Sequence, residues 1–438
     1  MDAMTTARPR RVLMLCYYFP PVQTVAIARN VGFARELPEQ GWEPTVLTVR
    51  EARDSWSVRG QSAPVPTGVD IERTSEFDCD RLLSLLDGVA SKTLRSALGR
   101  WRGHWFRDLC APDPHHGWRV RRRGAQLADG CDCIYVSCSP FSSALAGAAI
   151  KRRSGRPLVL DFRDPWVLNP QAPQHTRFHD WISDRMERAA LRAADCVILN
   201  TEGTLRLYRE HYPEFADRFV CIPNGFDELN VRDGSESADE PFTVMHVGML
   251  YLQRDPEPVL RALAELDLPD ARFVQVGPTH PSIERYRDRV NIHVTGQVTP
   301  AEASEWMRSA SLLYLNQGRR PGNPESVAVA AKTYEYLATG LPILADCPPG
   351  DNARMVDDYA TYPYVITEPL HDLFLAALQD AYAHRGEREP AVHPEFASQF
   401  NRTALAGRLA MELEAVSRRQ VQDDATAASR SLEAGNAR

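Results

Sequence analysis

The feature that most constrains this chain is a repeated alternation of short apolar, β-branched runs with longer stretches of helical periodicity. Six such runs come first, at 11–18 (RVLMLCYY), 44–49 (PTVLTV), 133–138 (CIYVSC), 157–162 (PLVLDF), 196–200 (CVILN) and 219–224 (FVCIPN), with helical patterns between most of them. Near-continuous apolar strands separated by helices predict a parallel sheet covered on both faces, because a parallel connection needs a crossover long enough to hold a helix. The pattern restarts at 242–248 (FTVMHVG) and runs on through 272–277 (RFVQVG), 291–296 (NIHVTG), 311–316 (SLLYLN), 342–346 (PILAD) and 362–366 (YPYVI). The expectation is α/β, with two similar doubly wound domains facing each other across a deep cleft.

At 438 residues the chain exceeds one ordinary core and suits two domains of roughly 200 residues each. The polar, acidic stretch 228–241 (ELNVRDGSESADEP) reads as the linker, giving an N-terminal domain over 1–227 and a C-terminal domain over 242–395. A C-terminal helix at 396–420, amphipathic near 402–416, is expected before a disordered tail at 421–438. A net charge of −7 with 25% charged and 43% hydrophobic residues excludes a globally nucleic-acid-binding or disordered chain, so no nucleic-acid partner is expected. The nine cysteines are scattered or sit inside apolar runs, without metal-ligand spacing, and read as buried reduced thiols rather than a metal site. The apolar run behind the basic MDAMTTARPRR is too short to span a membrane and has no small-residue cleavage site, so a cytoplasmic location is expected. The stretch 82–106 spaces leucines at near-helical intervals and sets Lys92, Arg95, Arg100 and Arg102 among Trp101, Trp105 and Phe106. It suits either a helical insertion covering the first sheet or a basic amphipathic helix in peripheral contact with the inner face of the cell membrane.

Candidate site residues follow from where the strands end. In AKTYEYLATGLPILAD (331–346), Lys332 and Glu335 stand three apart on one helix face, beside the strand-edge crevice where open α/β sheets bind ligands. A cation and an acceptor side by side suit a sugar nucleotide; the plainer alternative is an exposed ion pair worth about 0.3–0.5 kcal/mol. Gly248 directly follows a strand, where lack of a Cβ lets the backbone approach a ligand, and Arg254 opens the next helix. A diphosphate fits there, and Arg254 would contribute about 1.5–3 kcal/mol against about 0.3–1 kcal/mol for the helix end; otherwise the pair is a tight turn and a surface residue. DFRDPW (161–166) puts Arg163 and Asp164 at another strand end, either bracing a loop or, for Asp164, orienting a hydroxyl group. In the first domain, Thr24 in the turn after the first strand offers a hydroxyl, and Arg29 on the next helix serves the cleft or caps the sheet.

Six stretches carry a resemblance. They are 19–49 (FPPVQTVAIARNVGFARELPEQGWEPTVLTV), 112–118 (PDPHHGW), 161–166 (DFRDPW), 222–227 (IPNGFD), 246–260 (HVGMLYLQRDPEPVL) and 332–344 (KTYEYLATGLPIL). In this order they resemble the motif string of the family 4 glycosyltransferases, in register from about residue 11 to 416. The resemblance implies the GT-B fold of two Rossmann-like domains and retaining, metal-independent transfer of a sugar from a nucleotide-diphosphate donor, with no further cofactor. It further implies an acceptor, whether a glycan, a lipid-linked molecule or a small molecule, presented by the N-terminal domain. It also implies that Glu335, the second glutamate of a Glu-x7-Glu motif, grips the ribose hydroxyls, that Lys332 faces the donor phosphates or sugar, and that the base meets the backbone near Gly296 and Val298. The chain departs from the family where Val327 replaces the first glutamate, leaving Glu325 as a candidate substitute. Gln23 and Thr24 replace a frequent Gly-Gly pair, and DFRDPW lacks the histidine that many relatives carry in that region. These departures keep open a non-catalytic glycosyltransferase-like partner protein, and the shared fold keeps open a second alternative, a nucleotide-sugar epimerase.

Overall fold

A computed structural model describes residues 8–22, 27–50, 64–76, 111–169, 176–232, 234, 240–251, 253–319 and 325–436. The chain forms two units, one made of 1–200, 204–222 and 405–438 and the other of 201–203 and 223–404. Thr24 and the stretch 82–106 lie outside the described residues.

The first unit carries β1 (Arg10–Cys16), β2 (Trp42–Val49), β3 (Asp70–Thr74), β4 (Cys133–Ser137), β5 (Leu158–Phe162), β6 (Cys196–Leu199) and β7 (Phe219–Cys221). All neighbours are parallel, in the order β3-β2-β1-β4-β5-β6-β7. The sheet is buried on both faces, which is why its strands read as unbroken apolar runs. β3 escapes a sequence reading because DIERT is a charged edge strand with an exposed first residue.

The second unit repeats the plan with β8 (Thr243–Val247), β9 (Arg272–Val276), β10 (Asn291–Val294), β11 (Leu312–Asn316), β12 (Ile343–Asp346) and β13 (Pro363–Ile366). Its parallel order is β10-β9-β8-β11-β12-β13, so strand order reverses between β8 and β11 as it does between β1 and β4. Such reversals splay the loops at the carboxyl ends of the strands and open a crevice there.

The boundaries differ from those expected from composition. The second unit begins at Pro223 rather than after 228–241. Phe226 is buried, stacks on Phe396 at 5.1 Å, and exchanges backbone hydrogen bonds with Phe400 and Arg402, while Asn230 donates to the carbonyls of Ala338 and Ser304. Polar composition hid these anchors. The final helix runs Arg402–Asn436 and crosses between units at Leu405. Leu405, Leu409, Leu413 and Val416 fill the core of the first unit, which settles where this helix packs. The expected tail at 421–438 is helical as far as Asn436. Its Ala, Glu and Arg content favours helix, and Thr426 and Ser429 donate back to the carbonyls of Gln422 and Ala425. The seven described cysteines are buried, and none of them forms a disulfide with another described residue. Among the described residues no helix is long and apolar enough to cross a membrane.

Arg29 belongs to this architecture. It is 2% exposed, and its Nε and Nη2 donate to the fully buried Asp161 at 2.7 and 3.1 Å, while Nη2 also donates to the carbonyl of Ile222 at 2.9 Å. The Tyr135 hydroxyl donates to the same carboxylate. One cation thus ties the helix Ile27–Glu36 to β5 and to the chain leaving β7. Removing one member of a buried pair leaves the other charge uncompensated. Arg29→Met is therefore expected to lose about 3–5 kcal/mol of stability in urea denaturation; a wild-type midpoint and slope would contradict this structural role.

Candidate functional site

The short helix Ala331–Leu337 is positioned by its buried face. Tyr334 and Leu337 enter the core under β8 and β11, and the backbone N–H of Val247 donates to the Tyr336 hydroxyl at 2.8 Å. Asn352 Oδ1 accepts from the Thr333 hydroxyl at 2.6 Å and from the Ala330 N–H at 3.2 Å, fixing the start of the helix. With these four residues turned inward, Lys332 and Glu335 share the remaining face, as their spacing predicts.

Lys332 reaches across to the end of β8. Its Nζ lies 2.8 Å from His246 Nε2 and stands over Gly248, where a Cβ would come within 3.2 Å of it. Gly248 has φ +109°, a backbone conformation that side chains oppose, so this position both bends the chain after β8 and leaves room for the ammonium group. Arg254 follows on the same loop, half-buried, with its guanidinium 4.5 Å from the centre of the exposed Tyr251 ring. Neither Lys332 nor Arg254 forms an ion pair with a carboxylate among the described residues.

The electrostatics follow from that arrangement. Protein atoms surround the half-buried Lys332, and this desolvation, with Arg254 adding to it and Glu335 opposing, pushes the ammonium down to about 7. Desolvation and the charge of Lys332 hold His246 well below its ordinary range, so the ring is neutral and accepts from the lysine. Glu335 stays exposed by area, yet the atoms crowding it raise its carboxyl, with Lys332 pulling it down and Asp227 pushing it up. Arg402 also lowers it while paired to Asp227 at 3.5 Å. Two cations that form no ion pair with a carboxylate among the described residues, one of them partly discharged by burial, favour an anion.

The other expected residues are dispersed. Val298 packs half-buried on the core near Gly296, and Glu325 is exposed; no hydrogen bond or ion pair ties either to Lys332. A separate cavity of about 320 Å³ opens at the ends of β11 and β12, lined by Gln253, Asp255, Asn316, Gln317, Arg319 and Asp346 among others. Gly248, Lys332 and Glu335 do not line it, and Arg319 is held there by Asp346. In the first unit, DFRDPW divides between core and surface: Asp161 and Trp166 are buried, Arg163 is half-buried and Asp164 exposed. Trp166 stacks on Phe141 at 5.0 Å, and its backbone N–H donates to the Tyr208 hydroxyl, which donates to Glu187 at 2.5 Å.

Sequence reasoning passed over His246 and Gln275. The lysine beside them carries a signal of its own, since the chain holds three lysines, at 92, 151 and 332, against 48 arginines. A lysine kept in so arginine-rich a chain marks a place where a compact, titratable cation suits better than a guanidinium.

Residues 27–225 match the family described as glycosyl transferase 4-like domain. No curated protein matches the chain in sequence. Among solved structures the chain is similar to HepE from Anabaena, solved with UDP and glucose, at a TM-score of 0.61 and 15% identity over 92% of this chain and 99% of that one. It is similar to sucrose-phosphate synthase from Thermosynechococcus elongatus at 0.54 and 14%, over 97% and 100%. It also resembles WaaG, a glycosyltransferase involved in lipopolysaccharide biosynthesis, at 0.54 and 16%, over 93% and 98%. These likenesses are of fold, and the fold is GT-B.

A methyl group at residue 248 would meet both the backbone constraint and the ammonium. Gly248→Ala is expected to cost about 1–3 kcal/mol, read as a lower unfolding midpoint; a variant as stable as wild type would contradict the strained turn.

Proposed function

We propose that this chain, whose residues 27–225 match the glycosyl transferase 4-like domain, is a family 4 glycosyltransferase and transfers a sugar from a nucleotide-diphosphate donor to an acceptor hydroxyl. The observation that carries the reading is the pair of cations at the end of β8, Lys332 and Arg254, which form no ion pair with a carboxylate among the described residues and stand where the strand order reverses. The second unit takes the donor. Arg254 and the protonated Lys332 neutralise the diphosphate, Gly248 lets the backbone approach it, and Glu335 accepts from the ribose hydroxyls. Gly296 and Val298 offer backbone groups to the base, and Glu325 is the candidate contact for the donor sugar in place of Val327. The acceptor belongs to the first unit, where exposed Asp164 orients its hydroxyl and Arg163 braces the loop.

In this reading the transfer is retaining. The bond between the sugar anomeric carbon and the β-phosphate oxygen breaks, the acceptor oxygen bonds to the same face of that carbon, and the acceptor proton passes to the leaving phosphate. Charge on the leaving group falls on Arg254 and Lys332, so the reading needs no metal ion. The acceptor class is a glycan, a lipid-linked molecule or a small molecule.

Calorimetric titration with UDP-, GDP- and dTDP-linked sugars tests the donor site. One base is expected to bind selectively, and Glu335→Ala to weaken it by about 1.5–3 kcal/mol, roughly ten- to a hundredfold. An unchanged dissociation constant removes Glu335 from the site; silence across the panel favours the non-catalytic partner, and epimerised donor released without acceptor favours the epimerase.

The lysine sets a pH dependence. Its ammonium form faces the diphosphate, so binding raises a group that stands at about 7 in the free protein. Above that value binding takes up a proton, and affinity falls as pH rises. A nucleotide sugar isolates this effect because its phosphate diesters do not titrate there. Affinity is expected to decline above about pH 7 in the wild type and to be low and flat in Lys332→Met; equal slopes in both would contradict the assignment.

A further inference from the structure

Behind Lys332 lies a chain of hydrogen bonds that ends at the backbone of Gly248. Lys332 Nζ donates to His246 Nε2 at 2.8 Å, His246 Nδ1 meets Gln275 Oε1 at 3.0 Å, and Gln275 Nε2 donates to the Gly248 carbonyl at 2.7 Å. The direction of every bond is fixed from the ends. An ammonium group only donates and a carbonyl only accepts, so the imidazole carries its proton on Nδ1 and the Gln275 amide turns its oxygen to the ring. No member of the chain has a spare role.

The fold builds this chain deliberately close. β8 and β9 pair in parallel with His246 directly opposite Gln275, and both side chains are fully buried. At the end of β9, a Cβ on Gly277 would come within 2.6 Å of the Gly248 carbonyl oxygen and 3.0 Å of Gln275 Nε2. Gly277, with φ +139°, therefore leaves the space in which amide and carbonyl meet.

We propose that His246 and Gln275 are positioning residues for the donor site, holding the Lys332 ammonium and the Gly248–Met249 peptide plane in one fixed relation. Because that peptide is planar and trans, fixing its carbonyl toward Gln275 turns the Met249 N–H to the opposite side. A neutral acceptor suits this task better than a carboxylate. It fixes the cation without cancelling the charge that the diphosphate needs, whereas an aspartate or glutamate there would compete with the ligand. The inference rests on the donor-site reading above and adds to it the part played by two residues behind the site.

Lys332 is faced by His246 from β8, by Arg254 from the loop after it, and by Glu335 from its own helix; Asp227 and Arg402 stand near Glu335. A change at residue 246 should therefore be read in the lysine. The test measures nucleotide-sugar affinity against pH for the full chain and three variants whose folding is checked by circular dichroism. His246→Phe keeps bulk but removes the acceptor, and is expected to weaken binding about tenfold and to move the alkaline decline about one pH unit lower. His246→Gln places an amide oxygen near the former Nε2 and should recover most of the affinity. His246→Glu should move the decline upward while still weakening binding, an opposite shift that loss of packing alone would not produce.

Wild-type protein labelled with ¹⁵N-histidine supplies a measurement that needs no variant. His246 is expected to remain neutral, with its proton on Nδ1, from about pH 6 to 9. An ordinary titration near 6.5, or a His246→Phe protein with wild-type affinity and pH profile, overturns the relay while leaving the donor site standing. A wild type that binds no nucleotide sugar overturns the donor-site reading itself, and the relay's function with it.

Discussion

The contact between Lys332 and His246 is the constraint on which the candidate site depends. A cation is brought to the end of a buried strand, next to a second cation, and given an acceptor without charge. The cost appears as a lysine held at about 7. Such an arrangement persists only where the surrounding structure over-determines it, and it does so here through the buried Tyr336 anchor, the Asn352 cap and the glycine at 248. Each of these comes from the regular fold rather than from an extra loop.

The same chain shows the contrasting use of a cation. Arg29 in the first unit and Arg319 in the second each meet a buried aspartate, Asp161 and Asp346, and each also donates to backbone carbonyls. Those guanidinium groups are charge-compensated and tie elements together. Lys332 and Arg254 have no such partner among the described residues, and this difference, more than position in sequence, separates a binding cation from a bracing one. It also explains the composition: arginine serves wherever a fork of donors is wanted, and lysine is kept for a place that needs a small ammonium with an adjustable charge.

Both sheets were legible because parallel strands covered on two faces leave long apolar runs, and β3 was not, because an edge strand can be charged. The domain boundary was misplaced for a related reason: 228–241 is polar, but Phe226 and Asn230 just before and within it are fastened to the second core. Helical spacing was enough to put Lys332 and Glu335 on one face. Spacing also suggested Arg29 for the cleft or the sheet, and only its distance to Asp161, 132 residues away, decides for the sheet. His246 and Gln275 could not be paired from sequence, since their meeting depends on the register of β8 against β9.

The most direct test uses the scarcity of lysine. With three lysines in the chain, a pH titration of ¹⁵Nζ-labelled protein gives few signals, and Lys332→Arg assigns the one of interest. The account predicts that the Lys332 ammonium titrates at about 7 in the free protein and moves upward when a nucleotide sugar is added. A lysine that titrates near the ordinary 10.4 and does not move with ligand would contradict it.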